Sequence, residues 1–202
     1  MLPKVEFVYS GIYDTVFSGS KTVSYRKRIE GERLAKKLQK VWDKHSKRIL
    51  SCMSKITGLK WPKSYIECTL SFNAPYSFSH PLTLKIYKRI PIERCIVVLI
   101  HELAHILLWG NREKVKFPRS NAKIYKKYKN ESYQTKLHFP VYAIEILTIK
   151  KVFGKNAEKY LRIVKWWEIS QKSLRAKNYK KSWEIVEKEG PENVIKSIIR
   201  LS

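Results

Sequence analysis

The pattern of hydrophobic and polar positions predicts two strands and a long helix in the first third of the chain. Apolar and polar side chains alternate over residues 4–9 and 65–72, which is typical of half-buried strands. Residues 30–56, between them, carry apolar side chains at helical spacing in one stripe. The segment 10–20 is rich in turn-forming residues, and residues 73–81 are predicted to be a loop.

Two later segments are almost entirely apolar, and each has the end signals of a helix. The first runs from Pro91 to Trp109 and is followed by Gly110, as expected for a left-handed C-terminal cap. The second starts at Pro140 and stops at Gly154. The first is close to the length of a membrane span, but three polar side chains at its centre favour a buried helix of a globular domain.

The remaining segments complete the prediction of an α+β fold. Residues 83–88 alternate as a strand, and a basic connector of roughly 30 residues joins the two apolar helices; a connector that long usually has structure of its own and could cover a cleft. Residues 156–176 and 191–201 are predicted to be further helices. We expect a small mixed or antiparallel sheet and a mostly helical C-terminal part, with residues 1–154 as the main domain and 155–202 as an extension packed on it.

Composition narrows the class of protein. A chain of 202 residues, of which 44 % are hydrophobic, fits one globular domain with an extension. The first four residues lack an apolar run, which favours a cytoplasmic protein. The three cysteines, Cys52, Cys68 and Cys95, form no Cys-x-x-Cys pair, so neither a zinc ribbon nor a disulfide framework is expected.

The chain is strongly basic. Its formal net charge is +25, from 42 basic and 17 acidic side chains, and such a charge attracts polyanions. Lys123, Lys126, Lys127 and Lys129 cluster in the connector and are interleaved with two tyrosines. Contact with nucleic acid is one interpretation of this cluster. A solvated loop is the favoured one, because the sequence carries no recognisable nucleic-acid-binding signature.

The chemistry of the first apolar helix lies in the pentad His-Glu-Leu-Ala-His, residues 101–105. Positions four apart lie on the same face of a helix, so His101 and His105 can bind one metal ion. Glu102 lies beside the first ligand, where its carboxylate can reach a water on that ion. Burying these three groups without partners would be costly, and a metal would satisfy them. The pattern therefore predicts a hydrolytic Zn²⁺ site with an open coordination position.

A catalytic zinc needs a third protein ligand. Asn111 stands where metzincins have their third histidine, so that arrangement is excluded. Glu145 is the favoured candidate, because it lies amid apolar residues in the second helix and a buried carboxylate needs a cation. Glu131 and His138 are the alternatives. If Glu145 is the ligand, His138 or Tyr142 could donate a hydrogen bond to the oxyanion of a tetrahedral intermediate.

A His-Glu-x-x-His helix followed by a glutamate-bearing helix resembles the gluzincin metallopeptidases, and in size and order the chain is most similar to the minigluzincins. The resemblance covers about residues 83–154 and implies a zincin-like fold, with His101 and His105 as ligands, Glu102 as general base and Glu145 as ligand. It also implies that residues 83–88 bind substrate in extended form, and it allows a latent zymogen. The chain departs from the larger gluzincins in lacking their full Asn-Glu-x-x-Ser-Asp signature.

The sequence therefore favours a zinc-dependent metalloendopeptidase that cleaves peptide bonds. One alternative is a nucleic-acid-associated protease similar to the SprT-like group, which the basic charge would suit. Another is a basic nucleic-acid-binding protein that has kept a zincin fold without catalysis. The alternatives differ in bound zinc, in hydrolysis and in the response to DNA.

Overall fold

The computed structural model describes residues 1–19, 22–166 and 174–199. Within them the fold is α+β, as predicted, with one mixed sheet of four strands. The strands are β1 (Lys4–Tyr9), β2 (Tyr65–Ser71), β3 (Phe78–Ser79) and β4 (Leu82–Lys85), in the order β1-β2-β4-β3. The first three strands of that order are mutually parallel, and β3 pairs antiparallel with β4 at the edge.

The long helix α2 (Tyr25–Thr57) connects β1 to β2. The Ser24 hydroxyl caps its N-terminus by accepting a hydrogen bond from the Lys27 N–H. Gly58, at a φ of 69°, ends it in the left-handed conformation that glycine adopts without strain. Its buried stripe, which includes the fully buried Trp42, packs against the sheet and the later helices. The helix begins at Tyr25, five residues before the predicted start at residue 30.

The segment predicted to be turn-rich, residues 10–20, instead contains a short helix, α1 (Gly11–Phe17). The Ser10 hydroxyl caps it, and Asp14 in its first turn is fully buried. The Asp14 carboxylate accepts hydrogen bonds from the hydroxyls of Tyr9 and Ser71 and from the Asn73 N–H. The serines that suggested a turn thus act as a cap, and the buried carboxylate ties α1 to β1 and β2.

Helix α3 (Ile92–Gly110) is the predicted apolar helix with the His-Glu-x-x-His pentad. The predicted left-handed cap at Gly110 is wrong, because the helix includes Gly110 and ends at Asn111, whose φ is −121°. Gly110 is required for a different reason: a Cβ atom there would overlap the Pro62 ring. The Asn111 amide satisfies the helix end by donating to the carbonyls of Leu107 and Lys60.

Helix α6 (Phe139–Phe153) is the predicted second apolar helix and is buried along almost its whole length. A 3₁₀ turn (Gly154–Asn156) and α7 (Ala157–Val164) follow it. The connector between α3 and α6 contains two short helices, α4 (Lys123–Lys127) and α5 (Tyr133–Leu137). The connector therefore has structure of its own, as its length predicted.

The C-terminal part is helical, as predicted. Helix α8 (Leu174–Glu189) packs against α5 and α6, and α9 (Pro191–Ile198) packs along α6. Ile199 also bridges to Val115 in the connector. Residues 167–173, within the predicted helix 156–176, and residues 200–201, at the end of the predicted helix 191–201, lie outside the described residues. Among the described residues, none of the helices combines the length and apolar character needed to cross a membrane.

Candidate metal centre

Three histidines from α3 and from the start of α6 converge in one group. His101 and His105 lie one turn apart on α3, and their ring centroids are 5.1 Å apart. His138, the residue that precedes α6, lies with its ring centroid 5.6 Å from that of His101 and 5.2 Å from that of His105. One ligand nitrogen from each ring lies within 4.8 Å of the other two. The three residues could therefore hold one metal ion.

Hydrogen bonds orient two of the three rings. His101 Nδ1 lies 3.1 Å from Oε2 of the fully buried Glu145. His138 Nδ1 lies 2.8 Å from the Gln134 carbonyl oxygen, which can only accept a hydrogen bond. With Nδ1 donating in both rings, Nε2 carries the lone pair that a metal requires. Metal-binding histidines usually have such a carboxylate or carbonyl partner on the second nitrogen.

The electrostatics of the group favour the neutral form of the His105 imidazole. Burial lowers the pKa of His105 well below its ordinary value, and the positive charges that His101, His138 and His80 would carry lower it further. Because a metal binds the neutral imidazole, this shift in the pKa favours the ligand form at neutral pH. His80 belongs to the loop between β3 and β4, and its Nδ1 lies 2.9 Å from the Ser79 hydroxyl.

Glu102 follows His101 on α3, and 8 % of its surface is exposed. Burial raises the pKa of the Cys68 thiol in β2, and the Glu102 carboxylate is among the charges that raise it further. Glu102 thus lies close enough to β2 for its charge to act on Cys68. It is next in sequence to His101 and lies outside the ligand group, so its role as general base stays a prediction.

Glu145 and Glu131, two of the proposed third ligands, occupy different places. The Glu145 carboxylate contacts His101 from α6, so it lies behind a ligand nitrogen. Glu131 lies in the connector, 3.8 Å from the Lys181 ammonium. Neither belongs to the group of ligand atoms within 4.8 Å of one another, whereas His138 does. The assignment of Glu145 as a ligand stays a prediction, and the geometry favours His138.

Two tyrosine rings border the histidine group. Tyr142, one of the predicted oxyanion donors, is fully buried, with its ring centroid 5.4 Å from that of His101. Tyr179 of α8 lies closer, with its ring centroid 4.5 Å from that of His138. Tyr179 was not among the predicted site residues, because the lysine-rich segment around Tyr179 carries no motif. Only the packing of α8 on α5 and α6 brings it to the site.

The strand in the segment 83–88 is covered by β3 over part of its length. One side of β4 (Leu82–Lys85) pairs with β2, and β3 pairs with the other side at Leu82 and Thr83. The N–H of Lys85 donates to the Ser77 hydroxyl. A peptide adds to a strand through unpaired backbone groups, and those of Leu82 and Thr83 are already paired. Binding of an extended substrate by residues 83–88 stays a prediction.

Comparison of the chain with protein-family models, with curated proteins and with solved structures gives no match. The likeness to gluzincins and the finer description of the fold as zincin-like therefore depend on the pentad and on the glutamate-bearing second helix alone.

Proposed function

We propose that this protein is a zinc-dependent metallopeptidase in which His101, His105 and His138 hold the ion and Glu102 is the general base. The observation that carries the proposal is the convergence of three buried or half-buried imidazoles beside a buried carboxylate. In two of the three rings, those of His101 and His138, Nδ1 has an oxygen partner, which leaves Nε2 to act as a ligand. Zinc hydrolases commonly have this set of three nitrogen ligands with one coordination position left open.

The residues fit a zinc ion chemically. Three neutral nitrogen donors suit Zn²⁺ better than Mg²⁺ or Ca²⁺, which prefer oxygen ligands. Glu145 and the Gln134 carbonyl hold the His101 and His138 rings in the required tautomer. In this assignment Glu145 is a positioning residue. The other assignment, with Glu145 as ligand, requires its carboxylate to leave His101 and gives His138 the oxyanion role.

The mechanism follows from the proton-transfer groups around the histidines. Zinc, when bound, lowers the pKa of a coordinated water to about 7 and polarises a carbonyl group. The Glu102 carboxylate accepts the proton of the attacking water and then delivers it to the departing amine. The phenols of Tyr142 and Tyr179 border the same space. A hydroxyl from either can donate a hydrogen bond to the oxygen on which negative charge develops.

Metal analysis and a peptide digest test the proposal together. The purified protein should contain close to one zinc per chain, and it should cleave members of a peptide library with loss of cleavage in a chelator. Addition of Zn²⁺ after the chelator should restore the cleavage. A protein that binds no zinc and cleaves nothing with zinc present would rule the proposal out. A protein that binds zinc but cleaves no peptide would support the proposed metal site and contradict the proposed peptidase activity.

The resemblance allows a latent zymogen, and the packing of the C-terminal helices limits how such a zymogen could be activated. Val194, Ile195 and Ile198 of α9 are buried, and α9 packs along α6. Removal of all residues after 154 would therefore expose the apolar surface of α6, which carries Glu145 and follows His138. A zymogen of this protein would have to be activated by a nick within the C-terminal helices rather than by their loss.

A further inference from the structure

The exposed face of α2 carries seven cations in one sector: Arg26, Arg33, Lys37, Lys40, Lys44, Lys47 and Lys55. At 100° per residue they fall within about 80° of the helix circumference. All seven are exposed. We call these seven residues the α2 cationic face. Between Arg33 and Thr57 the sequence has a single acidic residue, Asp43, which accepts a hydrogen bond from the Gln39 amide near β1.

A cationic cavity lies at the C-terminal end of this face. It has a volume of about 430 Å³ and is lined by the last turns of α2 and the end of α6. Lys47, Arg48, Lys55 and Lys151 line it together with Ser51 and Cys52, and none of its lining residues is acidic. The Arg48 guanidinium donates a 2.6 Å hydrogen bond to the Val152 carbonyl, which fixes its position at the cavity.

No carboxylate among the described residues pairs with the charges of the cavity. Elsewhere lysines pair with carboxylates, as Lys127 does with Glu189 and Lys159 with Glu93. Within the part of the chain that the structure describes, none of the cavity's four cations has a carboxylate within 4.0 Å. Like charges that line one cavity repel one another. A bound anion would relieve that repulsion, and Ser51 would add a hydroxyl donor.

The length of the α2 cationic face favours a long polyanion over a single small anion. From Arg33 to Lys55 the helix rises about 33 Å, which is far longer than one phosphate group and comparable with one turn of duplex DNA. The lysine cluster of the connector is less suited to this role. Its Tyr125 is buried against Phe139, and its Tyr128 hydroxyl and Lys127 are both bonded to Glu189.

We propose that the α2 cationic face and its cavity bind the phosphate backbone of a nucleic acid without reading the bases. The cavity holds one phosphate group, and the remaining lysines follow the backbone. The site is separate from the metal centre, because His138 and Lys151 stand about 20 Å apart along α6. This proposal does not depend on the proposed peptidase activity, and it would hold for a protein that binds no zinc.

The test compares two variants that each lose four positive charges. The first, K40Q/K44Q/K47Q/K55Q, changes the α2 cationic face, and the matched control, K114Q/K123Q/K126Q/K129Q, changes exposed lysines of the connector. Fluorescence anisotropy with a labelled 20-nucleotide DNA strand, its duplex and the equivalent RNA gives Kd between 50 and 200 mM salt. We expect the first variant to lose at least about tenfold in affinity and about three units of salt slope, and the control to change less than about threefold.

Several outcomes would overturn the proposal. Equal losses in the two variants would mean that net charge attracts the nucleic acid diffusely. Absence of binding by the unchanged protein, or binding to vesicles with anionic lipid but not to nucleic acid, would also overturn it. Circular dichroism and the thermal unfolding temperature of each variant check that the fold is intact, which is expected because glutamine is nearly as good a helix former as lysine.

Discussion

Helices α3 and α2 place their polar side chains in opposite environments: those of the histidine group are mostly buried, and those of the α2 cationic face are exposed. The histidine group on α3 is nearly closed to solvent, and its rings contact one another and Glu145. The lysines of the α2 cationic face are exposed and lack carboxylate partners among the described residues. Buried polar groups must have their partners built in, whereas exposed charges can take theirs from solution. The first region therefore favours a bound ion, and the second a bound polymer.

The largest effect on activity is expected from Glu102→Gln, which tests whether the histidine group takes part in hydrolysis. The amide keeps the shape of the side chain but cannot accept the proton, so kcat should fall by about 10²–10⁴-fold. Zinc content should be unchanged, as measured by metal analysis. A variant that keeps its zinc and its full activity would show that Glu102 is not the general base.

His138→Ala separates the two possible ligand sets. If His138 is a ligand, its removal should weaken zinc binding by more than about 100-fold, beyond what loss of a group that only orients a ligand causes. Competition with a chelating dye measures the affinity. Glu131→Ala is the control, since Glu131 lies 3.8 Å from Lys181 and outside the histidine group. Zinc loss in the control alone would reverse the assignment.

Glu145→Gln tests the position of the carboxylate behind His101. As a positioning residue Glu145 should contribute about 10–100-fold to zinc affinity, less than a ligand does. Glutamine can still accept the Nδ1–H bond through its carbonyl oxygen, so it should bind more zinc than Glu145→Ala. An equal and complete loss of zinc in both variants, with His138→Ala unaffected, would restore Glu145 as the ligand.

The smallest effect is expected on stability, from a change at the contact between Gly110 of α3 and the Pro62 ring. Gly110→Ala would place a Cβ atom against the Pro62 ring and should destabilise the protein by about 1–3 kcal/mol. Gly11→Ala is the matched control, because no atom lies within 4 Å of a Cβ atom built there. Thermal unfolding with and without zinc measures both. Equal melting temperatures for the two variants would contradict the close contact at Gly110.

Local patterns predicted the elements well where one face is buried. The strand at Lys4–Tyr9 and the two apolar helices follow directly from period-2 alternation and from long apolar runs with proline and glycine at the ends. Helix α1 was missed, because the serines and glycine around it are common to turns and to helix caps. The short β3, which covers the edge of β4, has only two residues and no alternation to detect.

The sequence by itself determined that His101 and His105 share a helical face with Glu102 between them, because the spacing of positions on a helix is fixed by the backbone. It could not determine that His138 completes the group, that Glu145 contacts His101, or that Tyr179 reaches the site from α8. Those three residues stand on other elements, 33 to 74 positions after His105. Their distances from the pentad depend on how α5, α6 and α8 pack, and side-chain packing between elements leaves no periodic signal in the chain.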